Sequence, residues 1–220
     1  MARQADPKST PRIPLTKERV LRAAIDLADK GGIESLTMRK IGQELGVEAM
    51  SLYNHVANKD EILDGIVDVI VGEFDAPSDG ADWKSATRQR AISAHEVLLR
   101  HPWAPNLMLS RPRVGPALPR LRYVEWVFGS LREGGFSSEM VRDAFRTLDS
   151  YLLGFTLQEL NLPIHTQDLA EEAASFLQEI PADQYPHITA VFTEAGQEFE
   201  FEFGLDLILD GLERARETTA

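Results

Sequence analysis

Apolar residues recur at three- and four-residue spacing along nearly the whole chain, which predicts helices rather than strands. The segment KERVLRAAIDLADKGG, residues 17–32, sets Val20, Leu21, Ala24, Ile25, Leu27 and Ala28 at helical spacing. Thr16 precedes it as an N-cap and Gly31-Gly32 ends it. SLTMRKIGQELG predicts a second helix, with Ser35 or Thr37 as cap and Gly46 as terminator. A third is expected over about 48–55 and a fourth from Lys59 to about Phe74. DAPSDGAD, residues 75–82, is polar and rich in turn formers, and marks a boundary. Beyond it the pattern predicts helices at about 83–100, 103–109, 116–133, 138–160, 168–180 and 198–216. One stretch conflicts: EFEFEF, residues 198–203, alternates with period two as a half-buried strand would. No partner strand is evident, and Phe201, Leu205, Ile208, Leu209 and Leu212 continue as a helical stripe, so a helix is expected there too.

Residues 38–56 read as two short helices with a tight turn. Ile41 and Leu45 lie four apart on the first, Leu52 and Val56 four apart on the second, and Val47 follows the turn. Together they would make one small core. Gly42 falls where the two helices cross, and Gly46 sits at the turn, where positive φ is cheap for glycine. This is the helix-turn-helix pattern, in which the second helix enters the DNA major groove. With Leu52 and Val56 inward, Ala49, Met50, Ser51, Tyr53 and Asn54 remain on the outer face. Ser51 and Asn54 suit base edges, Ala49 or Met50 a thymine methyl, and Tyr53, His55 and Lys59 phosphates. On these residues alone, two small helices with an ordinary polar surface stay open as an alternative.

The chain has 220 residues, 43% of them hydrophobic, enough for one large domain or for a small one plus a larger one. The absence of cysteine excludes disulfides, thiol catalysis and zinc–thiolate sites. No apolar run suits a membrane span or a secretory leader, so a cytoplasmic protein with no membrane partner is expected. A net charge of −12 argues at first against nucleic acid. The charge is uneven, however: residues 1–60 carry 10 Lys/Arg against 8 Asp/Glu, a net of +2, and residues 61–220 carry 13 against 27, a net of −14. Only the part that faces phosphates needs to be basic. No enzyme signature is present: there is neither a Gly-x-Ser-x-Gly elbow nor a phosphate loop. The histidines are scattered, and no metal site and no cofactor are expected.

From Leu15 to about Glu73 the chain resembles the DNA-binding head of the TetR family of transcriptional repressors, most of all the branch of the tetracycline repressor. LTMRKIGQELGVEAMSLYNHVANKDEIL carries the likeness, with its "LY", "HV" and "NKDEIL". Residues 1–14, with three prolines and no periodicity, read as a flexible arm. The resemblance implies an all-α fold: a three-helix helix-turn-helix head (15–74) and a ligand-binding and dimerisation body (83–217) joined through helix four. It implies that Thr37 and Arg39 touch DNA from the second helix, that Ala49, Met50 and Ser51 read bases, and that Tyr53, His55 and Lys59 hold phosphates. Ala49 and Met50 differ from the polar and proline residues of the tetracycline repressor, so a different operator is expected.

In the body the family layout implies a homodimer through two late helices, here about 138–160 and 198–216, with Leu148, Leu152, Phe155, Leu205, Ile208, Leu209 and Leu212 as interface candidates. Met108 and Gln158 stand where the tetracycline repressor places a magnesium-binding histidine and a glutamate. A thioether is a poor ligand for a hard cation. A metal-bound tetracycline is therefore not expected, and an apolar or aromatic effector is, lined by Trp103, Leu107, Met108, Val124, Val127, Phe128 and Gln158. The same residues would also serve as plain bundle core. The expected function is thus a ligand-responsive regulator, released from double-stranded operator DNA by a small molecule. The alternative is a small-molecule-binding helical protein without working DNA recognition.

Overall fold

The computed structural model of the protein describes residues 14–75, 80–111, 118–161, 180–194 and 200–219. Ten α-helices run through them, and no strand occurs among the described residues. In chain order they are α1 (Lys17–Gly31), α2 (Met38–Leu45), α3 (Ala49–Leu52), α4 (Lys59–Gly72), α5 (Trp83–Arg100), α6 (Ala104–Ser110), α7 (Leu118–Glu133), α8 (Ser138–Asn161), α9 (Pro186–Glu194) and α10 (Phe201–Thr219). The all-α expectation is met, and α9 is a helix that the periodicity did not announce. Residues 1–13 of the arm, residues 76–79 of the expected boundary and nearly all of the helix expected at 168–180 lie outside the described residues. The chain divides into two compact units, residues 1–67 and 68–220, and the division falls inside α4.

The N-terminal unit is built from short capped helices. Thr16 Oγ1 accepts from the Arg19 amide at 3.3 Å and opens α1. Thr37 Oγ1 accepts from the Lys40 amide at 3.2 Å and opens α2, so Thr37 and not Ser35 is the cap. At the start of α4, Asn58 Oδ1 accepts from the Glu61 amide at 2.8 Å, and the Glu61 carboxylate accepts from the Ala57 amide at 2.6 Å. This is a variant of the capping box, in which two otherwise orphaned donors are satisfied reciprocally. The Ala57 amide, and then the Lys17 ammonium, hold the Glu61 carboxyl below its ordinary range. Around these ends Val20, Ala24, Leu36, Ile41, Leu52, Val56, Ile62 and Ile66 close into one core.

In the C-terminal unit α5 and α8 form the centre: α5 packs on α7, α8 and α10, and α8 on α5, α6, α7 and α10. Ion pairs fasten α10 to α5. Lys84 meets Asp210 at 2.7 Å and Glu213 at 2.6 Å, and Arg88 meets Asp206 at 2.7 Å and Glu202 at 2.5 Å. Such partly exposed pairs contribute little each, but they fix the register of a helix whose apolar residues lie on two faces. Phe136 lies edge-on to Trp83, and Arg216 sits over both rings and donates to the Gly134 carbonyl at 2.8 Å. Among the described residues no helix is long and apolar enough to cross a membrane.

Candidate functional site

The first candidate surface is the pair α2–α3. Gly46 adopts a left-handed conformation, φ 66°, and ends α2 as expected. The chain then closes at once: the Val47 amide donates to the Gly42 carbonyl at 2.9 Å. Gly42 is buried, and a Cβ placed there would lie 2.8 Å from the Val47 carbonyl oxygen. The absence of a side chain is what lets α3 approach α2.

Helix α3 is shorter than expected. Its regular part ends at Leu52, and Tyr53, Asn54 and His55 follow as tight turns, their amides reaching back to Met50, Ser51 and Leu52. The reason is packing: Leu52 and Val56 are both buried, and bonds to the third preceding residue tighten the chain between them. The outer residues differ in exposure. Met50 is 74% exposed and Tyr53 47% exposed, Asn54 and Lys59 are exposed, and Ala49, Ser51 and His55 are half-buried. Arg39 on α2 and its cap Thr37 are exposed, and the Thr37 hydroxyl, which accepts from the Lys40 amide, keeps its O–H to donate.

The second candidate is a cavity of about 20 Å³ in the C-terminal unit, lined by Thr87, Arg90, Ala91, Tyr123, Trp126, Val127, Phe145, Leu148 and Leu152. It has room for about one water molecule. Helix α5 supplies Thr87 and Arg90, α7 supplies Tyr123, Trp126 and Val127, and α8 the rest. The Arg90 guanidinium lies 5.1 Å from the Tyr123 ring centroid and 4.8 Å from that of Trp126. Desolvation lowers the pKa of Arg90 and pushes the Tyr123 phenol up, the latter with help from Asp149. Phe74, after α4, meets the edge of Tyr123 at 5.6 Å, and the Asp75 carbonyl accepts from Arg90 Nη1 at 3.3 Å. Asp68, near the end of α4, is ion-paired with Arg120 of α7. The cavity wall is thus tied to the end of α4 at three points.

Of the residues expected to line a pocket, Val127 lines this cavity. Trp103 and Leu107 are buried elsewhere in the unit, Met108, Val124 and Phe128 are half-buried, and Gln158 is exposed on α8. The sequence reading missed Thr87, Arg90, Tyr123 and Trp126. Arginine on a helix reads as solvated surface, and only the packing of three helices shows it turned inward. The expected dimer stripe needs a correction as well. Leu152, Leu205 and Leu209 are no more than 4% exposed and fill the interior of the subunit, so they have nothing left for a partner. Leu148, Phe155, Ile208 and Leu212 are half-buried, and Leu148 belongs to the cavity wall. The open apolar residues of α10 are Phe203 at 66% and Leu207 at 56% exposure, and the sequence reading singled out neither.

His95 is buried with both ring nitrogens engaged, by Thr156 Oγ1 at 2.9 Å and Glu159 at 3.0 Å, and it stacks on Phe201 at 4.2 Å. It serves as a core histidine. Among the described residues no group of three His, Asp or Glu could hold a metal ion. Asp149 is different. Burial raises its pKa, so the fold favours the neutral acid and loses stability as pH rises through the raised value. Asp149→Asn is expected to raise Tm near about pH 7, and the gain to shrink as the pH falls toward the ordinary aspartate range. Thermal melts across pH check this; a gain that grows in acid would contradict it.

A family model described as "Bacterial regulatory proteins, tetR family" matches residues 20–66, and one described as "Tetracyclin repressor-like, C-terminal domain" matches residues 76–216. The HTH-type transcriptional repressor DrrR1 of Streptomyces coeruleorubidus is 32% identical, over 94% of this chain and 80% of that protein. Among solved structures, ActR of Streptomyces coelicolor in complex with actinorhodin has a TM-score of 0.77 at 27% identity, covering 93% of this chain and 99% of the other. BioQ with its double-stranded DNA operator has a TM-score of 0.65 at 28% identity, covering 90% and 98%.

Proposed function

The chain belongs to the TetR family of bacterial regulators, and we propose that it is a homodimeric repressor that leaves its operator when an apolar or aromatic effector enters the C-terminal unit. The observation that carries this is the α2–α3 pair: a glycine-made crossing that buries Leu52 and Val56 and leaves Met50, Tyr53 and Asn54 outside. Ala49, Met50 and Ser51 would read base edges. Tyr53, His55 and Lys59, with Arg39 and Thr37 on α2, would hold phosphates and set the register. Two subunits would place their third helices in successive major grooves, about 34 Å apart. The functional parts are a head over residues 15–74 and a body over 83–217.

Release follows from the small size of the cavity. It is about 20 Å³ as it stands, so a ring-sized ligand must widen it. A packed interior does not deform smoothly, and the neighbours shift as units. Tyr123 bears on Phe74, Arg90 on Asp75, and Arg120 on Asp68, so widening acts on the end of α4, the helix that begins in the head. By linkage, effector and DNA weaken each other by the same factor.

A band-shift titration on the DNA upstream of the protein's own gene tests the reading. Specific, salt-sensitive binding is expected. Tyr53→Ala with Lys59→Ala should weaken it by roughly 10-fold or more and lower the salt slope by about one. No specific binding there or at any selected site would sink the proposal and leave the alternative, a ligand-binding helical protein without DNA recognition.

A further inference from the structure

Resting on the reading of the C-terminal unit as an effector domain, we propose that its ligand is an aromatic compound carrying an acidic oxygen, a carboxylate or an ionised phenol, which Arg90 Nε and Thr87 Oγ1 receive in the α5–α7–α8 cavity. Two observations carry this independently of the family. Thr87 is 5% exposed, and its hydroxyl oxygen has no hydrogen-bond partner among the described residues; the same is true of the buried Arg90 Nε. Buried polar atoms are almost always satisfied, and an orphaned pair on one cavity wall points to a group that arrives later. Thr87 and Arg90 stand three apart on α5, so their side chains share one face.

The chemistry of the pair then selects the ligand. A guanidinium only donates, so the atom that satisfies Nε must be an acceptor. No ion pair to Arg90 occurs among the described residues: its Nη1 takes a backbone carbonyl, that of Asp75, and the nearby Asp75 carboxylate only acts at a distance. A half-buried cation without a counter-ion is costly, and an anion offsets that cost where a neutral acceptor does so only in part. The remaining wall is aromatic and aliphatic: Tyr123, Trp126, Phe145, Val127 and Leu148 match a flat ring better than a sugar or a peptide. The guanidinium already lies over two of these rings, so an acidic group attached directly to an arene brings oxygen and ring to their partners together.

The test uses the full chain and two probes of one shape, 2-naphthoate and its neutral analogue 2-naphthamide, titrated by calorimetry. The wild-type protein is expected to bind naphthoate roughly 10-fold or more tighter than the amide, the factor a charge-assisted hydrogen bond supplies. Arg90→Met should reduce that preference to about two-fold or less, and Arg90→Lys should retain only part of it, because the charge stays while the Nε donor and the planar group over the two rings are lost. If Arg90→Met does not fold, Thr87→Val, with a several-fold weaker affinity for naphthoate, and the wild-type probe pair decide. Equal affinity for the two probes, no binding of naphthoate, or a preference that survives Arg90→Met overturns the proposal. Repeating the titration with operator duplex present separates it from the release reading. Selective naphthoate binding with no loss of DNA affinity upholds the ligand class and refutes release. DNA release by neutral and acidic aromatics alike refutes the ligand class and upholds release.

Discussion

Gly42→Ala is expected to abolish specific DNA binding while the C-terminal unit stays folded. The added methyl carbon would sit 2.8 Å from the Val47 carbonyl oxygen, 3.2 Å from the Ala49 nitrogen and 3.3 Å from the Ala49 Cα. All three are backbone atoms, so no side chain can rotate away, and α3 itself must move from α2. Overpacking of this kind costs about 1–3 kcal/mol in a core. The loss falls at the start of α3, the segment that carries Ala49, Met50 and Ser51. Losing two base contacts of about 1–3 kcal/mol each weakens specific binding by roughly 100-fold or more. Non-specific binding, which rests on phosphates, should change little. Gly72→Ala is the control, since a Cβ there meets nothing within 4 Å. Fluorescence anisotropy on a duplex selected with the wild-type protein reads the effect, and a Gly42→Ala protein with wild-type affinity would show that α3 does not read the bases.

The fold was legible where a local pattern determines it. Apart from α9 and the end of α3, the described helix spans followed from apolar spacing; Thr16 and Gly46 marked ends that the structure places at the same residues, and Thr37 is one of the two caps the sequence offered for α2. Gly42 and Gly46 were informative because each answers a backbone need. The end of α3 was not legible, because tight turns and α-helix carry the same apolar spacing over four residues. The cavity was less legible still. Its walls come from residues as far apart as Thr87 and Leu152, and nothing local distinguishes the inward Arg90 from Arg88 two positions earlier, which pairs with Asp206 and Glu202 near the surface. On α10 the difficulty was a choice between faces. Phe201, Leu205 and Leu209 repeat every four residues, and so do Phe203 and Leu207; periodicity reports two stripes without saying which one faces the core.

That choice has a measurable consequence. Phe203→Glu together with Leu207→Glu is expected to yield a folded monomer that has lost most of its operator affinity. The two side chains stand one turn apart on α10, 66% and 56% exposed, and their removal takes nothing from the interior. On α8 the outward positions Thr147, Ser150 and Gly154 are exposed and small, which suits close approach of a partner helix. In a two-fold interface each substitution counts twice, so four carboxylates enter one contact. Burying each large apolar side chain contributes about 1.5–3 kcal/mol, and both that gain and its symmetric copy are lost. A monomer binds one half-site and forfeits the effective concentration of the second head, so operator affinity should fall by roughly 100-fold or more. Leu209→Ala makes the opposite prediction. Leu209 is fully buried within the subunit, so truncation should cost about 2–5 kcal/mol of folding stability and lower Tm while the surviving protein stays dimeric. Sedimentation velocity and thermal melts on the two variants separate the faces: a dimeric Phe203→Glu/Leu207→Glu protein, or a monomeric Leu209→Ala protein with an unchanged Tm, would place the contact on the other stripe.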